Sequence, residues 1–206
     1  MKMAIEKRER RLGTRLFLKA ERCGSPKCAL IRRPYPPGAH GRSRRRQPSE
    51  LSKKLQEKQK LQLIYGLNER QMQNLFHDLL GKKIKTGEQA VKILEKRLDN
   101  AVFRLGLAPS RRVARQLVSH GHILLDGKKV TIPSRLLKKG NVVSLRPQSL
   151  KVRVFEDLET RLKKLEAPKW LNLDKDNKRG EVASEPDEEP KNMPFDINLV
   201  AEYYSK

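Results

Sequence analysis

Polar chemistry is densest near the middle of the chain, in Arg111, Arg112, Arg115, His120, His122, Lys128 and Lys129. Guanidinium and ammonium groups donate to phosphate oxygens, and imidazoles beside them donate to phosphate or ribose. The set suits docking to a sugar–phosphate backbone. It does not compose a reaction centre. His40 and His77 stand in no metal-ligand or nucleophile–base spacing with the other two histidines. Gly81-Lys82-Lys83 lacks the upstream glycine and the following Ser or Thr of a phosphate-cradling loop. Cys23 and Cys28 offer two thiolates, whereas a closed structural zinc site takes four ligands. No enzymatic activity and no small-molecule substrate are expected.

The basic residues need a frame that aims them outward. Ser110, after Pro109 and ahead of a periodic run, reads as a helix N-cap whose hydroxyl accepts from a first-turn amide. At about 100° per residue, Val113, Ala114, Leu117 and Val118 fall on one side of this helix. Arg111, Arg112, Arg115, Gln116 and Ser119 fall on the other, and Gly121 supplies a left-handed stop. Leu94, Leu98, Ala101, Val102 and Leu105 share one apolar stripe, which predicts a preceding helix packed against the first. After Gly121 the period becomes that of strands. Ile123–Leu125 and Lys128–Val130 flank Asp126-Gly127, a dipeptide favoured in two-residue hairpins, and Val142–Arg146 is a last strand.

Charge says what such a frame would meet. The 206 residues carry 47 Lys and Arg against 24 Asp and Glu, a net +23. Residues 1–60 hold 19 basic and 5 acidic groups and residues 61–165 hold 22 and 9, whereas residues 166–206 are acidic, with 6 and 10. Positive charge spread over most of the chain favours a nucleic acid, with an anionic membrane surface as the second choice. No apolar run approaches the roughly 20 residues of a spanning helix, and the longest early apolar stretch is only Leu16-Phe17-Leu18. Glu6, Glu9 and Glu21 argue against an organelle transit peptide. The cytoplasm is the expected compartment.

On either side of the central unit lie segments of different character. Residues 1–47 form a basic arm, with a short helix over roughly Lys7 to Ala20. Its Arg32, Arg33, Tyr35, His40, Arg42, Arg44, Arg45 and Arg46 sit among prolines and glycines. Such a segment orders on RNA, its arginines on phosphates and Tyr35 stacked, or else stays a flexible tail. A helix from Ser49 to about Tyr65-Gly66 displays Lys53, Lys54, Lys58 and Lys60. Asn68 with Gln71 forms a capping box ahead of the apolar stripe Met72, Leu75, Phe76, Leu79 and Leu80. Thr86 with Gln89 repeats the motif, so residues 82–87 read as a domain junction. A helix-compatible run, Phe155 to Leu165, precedes Trp170-Leu171 and the acidic linker Glu185–Pro190. The apolar end, Phe195 to Tyr204, should pack on something.

Several of these strings together resemble one family. Leu98-Asp99-Asn100 through Arg104-Leu105-Gly106, then the Ser110 helix, the hairpin and Ile132-Pro133-Ser134 are similar to the RNA-binding module of bacterial small-subunit ribosomal protein four. The arm, with Arg22-Cys23, Lys27-Cys28-Ala29, Arg32-Arg33, Tyr35-Pro36-Pro37-Gly38 and His40-Gly41, matches the same family, as do Trp170-Leu171 and the ending. The resemblance implies an α+β fold. A helical N-terminal domain (48–91) carrying the arm would be closed by the tail (176–206), with the helix–helix–antiparallel-sheet module (92–175) inserted. It implies a primary ribosomal RNA-binding protein that docks a multi-helix junction of small-subunit RNA, nucleates assembly and contributes to decoding accuracy. Its implied partners are that RNA and neighbouring proteins, protein five included, beside the mRNA path, with no membrane. The competing expectations are a free-standing, heat-shock-type module on the large subunit and an RNA-modifying enzyme, which would lack the arm. Zinc-binding members of the family carry an upstream Cys-x-x-Cys that falls here on Glu6 and Glu9. No cofactor is therefore expected, zinc on Cys23 and Cys28 being the alternative.

Overall fold

Residues 5–19, 21–44, 47–81, 86–186 and 193–205 are described by the computed structural model. They divide into two units, Met1–Ala90 with Pro190–Lys206, and Val91–Glu189.

The first unit begins with three short helices, α1 (Ile5–Leu12), α2 (Glu21–Gly24) and α3 (Ala29–Arg32). α1 is shorter than the helix to Ala20 that the sequence suggests. The chain turns at Gly13, and the Leu16 and Leu18 amides donate to the Glu9 carboxylate instead of to helix carbonyls. Next comes α4 (Glu50–Tyr65), where Ser49 Oγ accepts from the Ser52 amide at 3.3 Å. α5 (Glu69–Leu80) starts at the expected capping box, with Asn68 Oδ1 2.8 Å from the Gln71 amide and Gln71 Oε1 3.1 Å from the Asn68 amide. Its apolar stripe buries Met72, Phe76 and Leu79, while Leu80 is exposed. α6 (Thr86–Glu95) runs across the boundary between the units.

The second unit breaks the expected continuous helix. α6 ends at Glu95, and α7 (Leu98–Arg104) starts after an extended Arg97 that bridges Leu136. The Leu98 and Asp99 amides then donate to the carbonyls of Arg135 (2.8 Å) and Pro133 (3.1 Å). Long-range partners for those first-turn amides outcompete a continuous helix. α8 (Arg111–Ser119) is capped by Ser110 Oγ, which accepts from the Val113 amide at 3.3 Å. Ala114, Leu117 and Val118 face the core with Leu98, Ala101 and Val102 of α7.

β1 (Ile123–Leu125) and β2 (Lys128–Lys129) form the predicted hairpin. Asp126 and Gly127 both have positive φ, 50° and 76°, which matches the twist of a two-residue turn. β3 (Val142–Leu145) follows, then two 3₁₀ turns and α9 (Leu158–Lys164). A second hairpin, β4 (Leu171–Asp174) with β5 (Arg179–Val182), completes a five-stranded antiparallel sheet in the order β2-β1-β3-β5-β4. This hairpin corrects the expected boundary at 175/176. β5 pairs with β3, and Gly180 lies so close to Leu105 that a Cβ there would stand 2.2 Å from Leu105 Cδ2. Residues 176–186 therefore stay with the second unit.

The last helix, α10 (Ile197–Tyr204), belongs to the first unit and packs on α4 and α5. Ile197 and Val200 are buried, and Tyr204 stacks on Phe76 with ring centroids 4.8 Å apart.

Candidate nucleic-acid interface

The Ser110 cap sets the phase of α8 so that its three arginines leave the core, but they do not fare alike. Arg112 is exposed. Arg111 and Arg115 are half-buried and engaged by the protein itself. Arg111 Nε donates to Asn100 Oδ1 at 2.7 Å, and its guanidinium lies 4.6 Å from the centre of the Phe103 ring. Glu95 is 3.9 Å from Arg111, and Asp99 is 3.7 Å from Arg115.

Both carboxylates are buried. Glu95 accepts from Arg104 at 2.9 and 3.0 Å and from Asn100 Nδ2 at 2.8 Å. Asp99 takes Arg97 through two bonds, 2.8 and 3.1 Å, and the Asn100 amide at 2.9 Å. Glu95, Asp99 and Asn100 thus fix the root of the basic face. Reading the sequence as an apolar stripe missed them, although polar residues within so regular a stripe were the signal.

Where α8 meets the hairpin, the basic groups converge. The Lys129 side chain crosses Gly121 so closely that a Cβ there would meet its Cε at 2.2 Å and its Nζ at 3.1 Å. Its ammonium therefore lies by the residue between His120 and His122, whose ring centroids are 6.2 Å apart. His122 Nδ1 shares a 2.9 Å hydrogen bond with Ser149 Oγ, which fixes the ring. His120, Lys128 and Lys129 are exposed, and so are Arg135, Lys138 and Lys139 beyond the hairpin. A helix end and a hairpin thus present cations and imidazoles together, an arrangement that can bind phosphate and ribose.

In the arm, Arg32, Arg33, His40, Arg42 and Arg44 are exposed, while Arg45 and Arg46 lie outside the described residues. Tyr35 is half-buried under two guanidiniums, Arg42 at 4.7 Å and Arg10 at 5.1 Å from the ring centre. Arg42 also donates to the Tyr35 hydroxyl at 3.3 Å and lowers its pKa. Arg10, itself buried, donates to the carbonyls of Arg33 and Tyr35 and so ties the arginine-rich loop to α1.

On α4 the lysines separate. Lys53 is exposed, but Lys54 pairs with Glu202 of α10 at 2.7 Å. Lys58 is a correction to the expected RNA contacts. It is buried, its Nζ lies 3.0 Å from both Glu69 oxygens, and the Tyr203 ring covers it at 4.5 Å. A lysine so paired holds α10 and α5 to α4.

The residues at the positions where zinc-binding members of the family carry cysteines are engaged by the protein itself. The Glu9 carboxylate is buried against the Leu16 and Leu18 amides, and burial raises its pKa. Glu6 pairs with Lys19 (3.0 Å) and Arg22 (3.2 Å). Cys23 accepts from the Lys19 amide at 3.4 Å, and burial pushes its thiol pKa up, away from the thiolate that zinc requires. Cys28 is buried and unbridged, and among the described residues no three metal-ligating side chains gather. Among those residues, too, no helix is long and apolar enough to cross a membrane.

The two helices and the hairpin that carry the basic face lie within an S4 domain. The sequence model of that domain matches residues 96–143, and the model of the Ribosomal protein S4/S9 N-terminal domain matches residues 2–95. The chain is 46% identical to the small ribosomal subunit protein uS4 of Thermus thermophilus, over 96% of this chain and 94% of that one. It is 45% identical to its counterpart from Halothermothrix orenii and 48% identical to that from Geotalea daltonii, over the same shares. The chain belongs to the uS4 family of small ribosomal subunit proteins.

Proposed function

We propose that this chain is a structural, RNA-binding component of the cytoplasmic small ribosomal subunit and reads folded small-subunit RNA by shape. The observation that carries the reading is the exposed group of His120, Lys128 and Lys129, gathered where the end of α8 meets the β1–β2 hairpin, with Arg112 exposed on the first turn of the same helix. Such groups contact phosphate and sugar rather than base edges. His122, on its Ser149 bond, completes the group. Arg111 and Arg115 would touch RNA with the part of each guanidinium left outside the carboxylate network. Arg32, Arg33, His40, Arg42 and Arg44 of the arm, together with Lys53, would clamp neighbouring RNA helices. On this reading the target is a multi-helix junction bound early in assembly. The chain would then border the mRNA path beside protein five and influence decoding accuracy.

Sucrose-gradient fractionation tests the reading. The protein should stay with small subunits at moderate salt, and migration with large subunits would overturn it. A salt series tests the site. Replacing Arg112 and Lys129 together by alanine should lower the slope of log K against log salt by about 1.5, at roughly 0.7–0.9 per lost phosphate contact. An unchanged slope would take this face off the RNA.

The arm should also hold without metal, since Glu9 and Glu6 already occupy themselves with amides and cations. Chelator treatment should leave RNA binding unchanged, and elemental analysis should find less than one zinc per chain. A stoichiometric ion would sink this view.

A further inference from the structure

Phe17 adopts a left-handed backbone outside any hairpin turn, and its side chain is left exposed. Its φ is 53°, in the left-handed region that a bulky side chain rarely adopts, and the residue is 57% exposed. Asp126 and Lys178 share that region, but each sits in a hairpin turn. Around Phe17 the chain is gripped from both sides. The Leu16 and Leu18 amides each donate to Glu9 Oε1 at 3.3 Å, and Glu9 itself is only 3% exposed. Leu16 is buried and anchors the turn. A buried carboxylate thus holds a strained turn whose result is to push one aromatic ring into solvent. The two amides satisfy the buried Glu9 carboxylate, but the exposed ring between them adds nothing to that contact.

The surroundings favour one occupant. Lys7, Arg8 and Arg11 of α1 are exposed, as is Arg15 two residues before the ring, while Lys19 pairs with Glu6. A single exposed ring in a segment so rich in exposed cations is a poor match for an apolar protein pocket, which would want a continuous patch. It matches a nucleobase, which stacks its face on the ring while its phosphates meet the cations. Tyr35, the stacking residue that the sequence suggests, already has its ring under Arg10 and Arg42.

We infer that Phe17 is a stacking platform for an unpaired base of the RNA that the arm contacts, an inference that rests on the RNA-binding reading above. The test is filter binding of the full chain to a transcript of the small-subunit RNA 5′ domain across a salt series. Phe17→Ala should weaken binding by about 5- to 150-fold, since one base–aromatic stack is worth roughly 1–3 kcal/mol. The salt slope should stay unchanged, because the ring carries no charge. Phe17→Leu should lose as much as alanine, Phe17→Trp should retain binding, and Phe17→Gly, which relieves the left-handed strain, should match alanine. Binding of Phe17→Leu or Phe17→Ala at wild-type strength would overturn the inference. So would a slope that falls in Phe17→Gly, since the residue would then hold the arm rather than a base. Normal transcript binding with poor incorporation into reconstituted subunits would assign the ring to a protein neighbour and overturn it too. Tight, salt-dependent binding by the wild-type chain keeps the RNA-binding reading standing in each of these cases.

Discussion

Asp99→Ala is expected to destabilise the second unit by about 3–5 kcal/mol, the cost of leaving one partner of a buried ion pair uncompensated. Arg97 and Asp99 are both buried, joined by two hydrogen bonds of 2.8 and 3.1 Å. Alanine would strand the Arg97 guanidinium and the Asn100 amide and leave Arg115 without its nearby carboxylate. The urea midpoint of this unit should fall accordingly. Replacing both partners, Arg97→Met with Asp99→Leu, should recover most of the loss, because apolar pairs of similar volume commonly substitute for buried ion pairs. If the double variant is as unstable as Asp99→Ala, the cost lies in the backbone turn at Arg97 and not in the stranded charge.

A comparable loss is expected in the first unit when α10 is removed by ending the chain after Met193. Burying Ile197 and Val200 contributes about 1.5–3 kcal/mol each, and the Tyr204 stack on Phe76 adds about 0.5–1.5 kcal/mol. Together that is about 3.5–7.5 kcal/mol, enough for hydrogen exchange to show α4 and α5 opening readily while the second unit stays protected. Protection of α4 unchanged by the truncation would refute the packing role.

The same joint should depend on pH at both ends. Burial raises the Glu69 carboxyl, but hydrogen bonds from Lys58, Tyr204 and Gln62 outweigh it and hold the pKa below the ordinary 4.5. Its stabilisation is present above that value in the unfolded chain and fades as pH falls through the lower folded one. Burial first, then the hydrogen bond to Glu69, raise the Tyr204 phenol above its ordinary 10. That contribution is complete below 10 and is lost as pH rises further. Tyr204→Phe should remove the alkaline limb, at a cost of about 1 kcal/mol for the hydrogen bond.

Features coded by neighbouring residues were legible before the structure. Ser110, the Asn68–Gln71 box and Asp126-Gly127 act within a few residues, and each caps or turns the chain as its chemistry predicts. The expected apolar ending does pack, as α10. The β4–β5 hairpin was not legible, because its place depends on β3, more than thirty residues upstream, although Leu171, Leu173, Gly180 and Val182 alternate as strands do. Lys58 looked like any other lysine of a basic helix. Only Glu69 and the returning Tyr203 turn it inward. The site was legible to the same degree. The basic positions of α8 and the hairpin could be named, but the carboxylates beneath Arg111 and Arg115 could not, since burial of a charge is decided by distant partners. Phe17 carries no sequence mark of its left-handed backbone.

The span closed by Lys58 and Tyr203, 145 residues apart, has a consequence for synthesis. Residues 91–189 are made, with every strand of their sheet, before Ile197 is added to the chain. The unit translated in the middle can therefore complete its fold first, while Phe76 of the earlier one still waits for Tyr204 of α10 to cover it. A released chain ending at residue 190 should hold a finished sheet and an N-terminal half that a protease can still open.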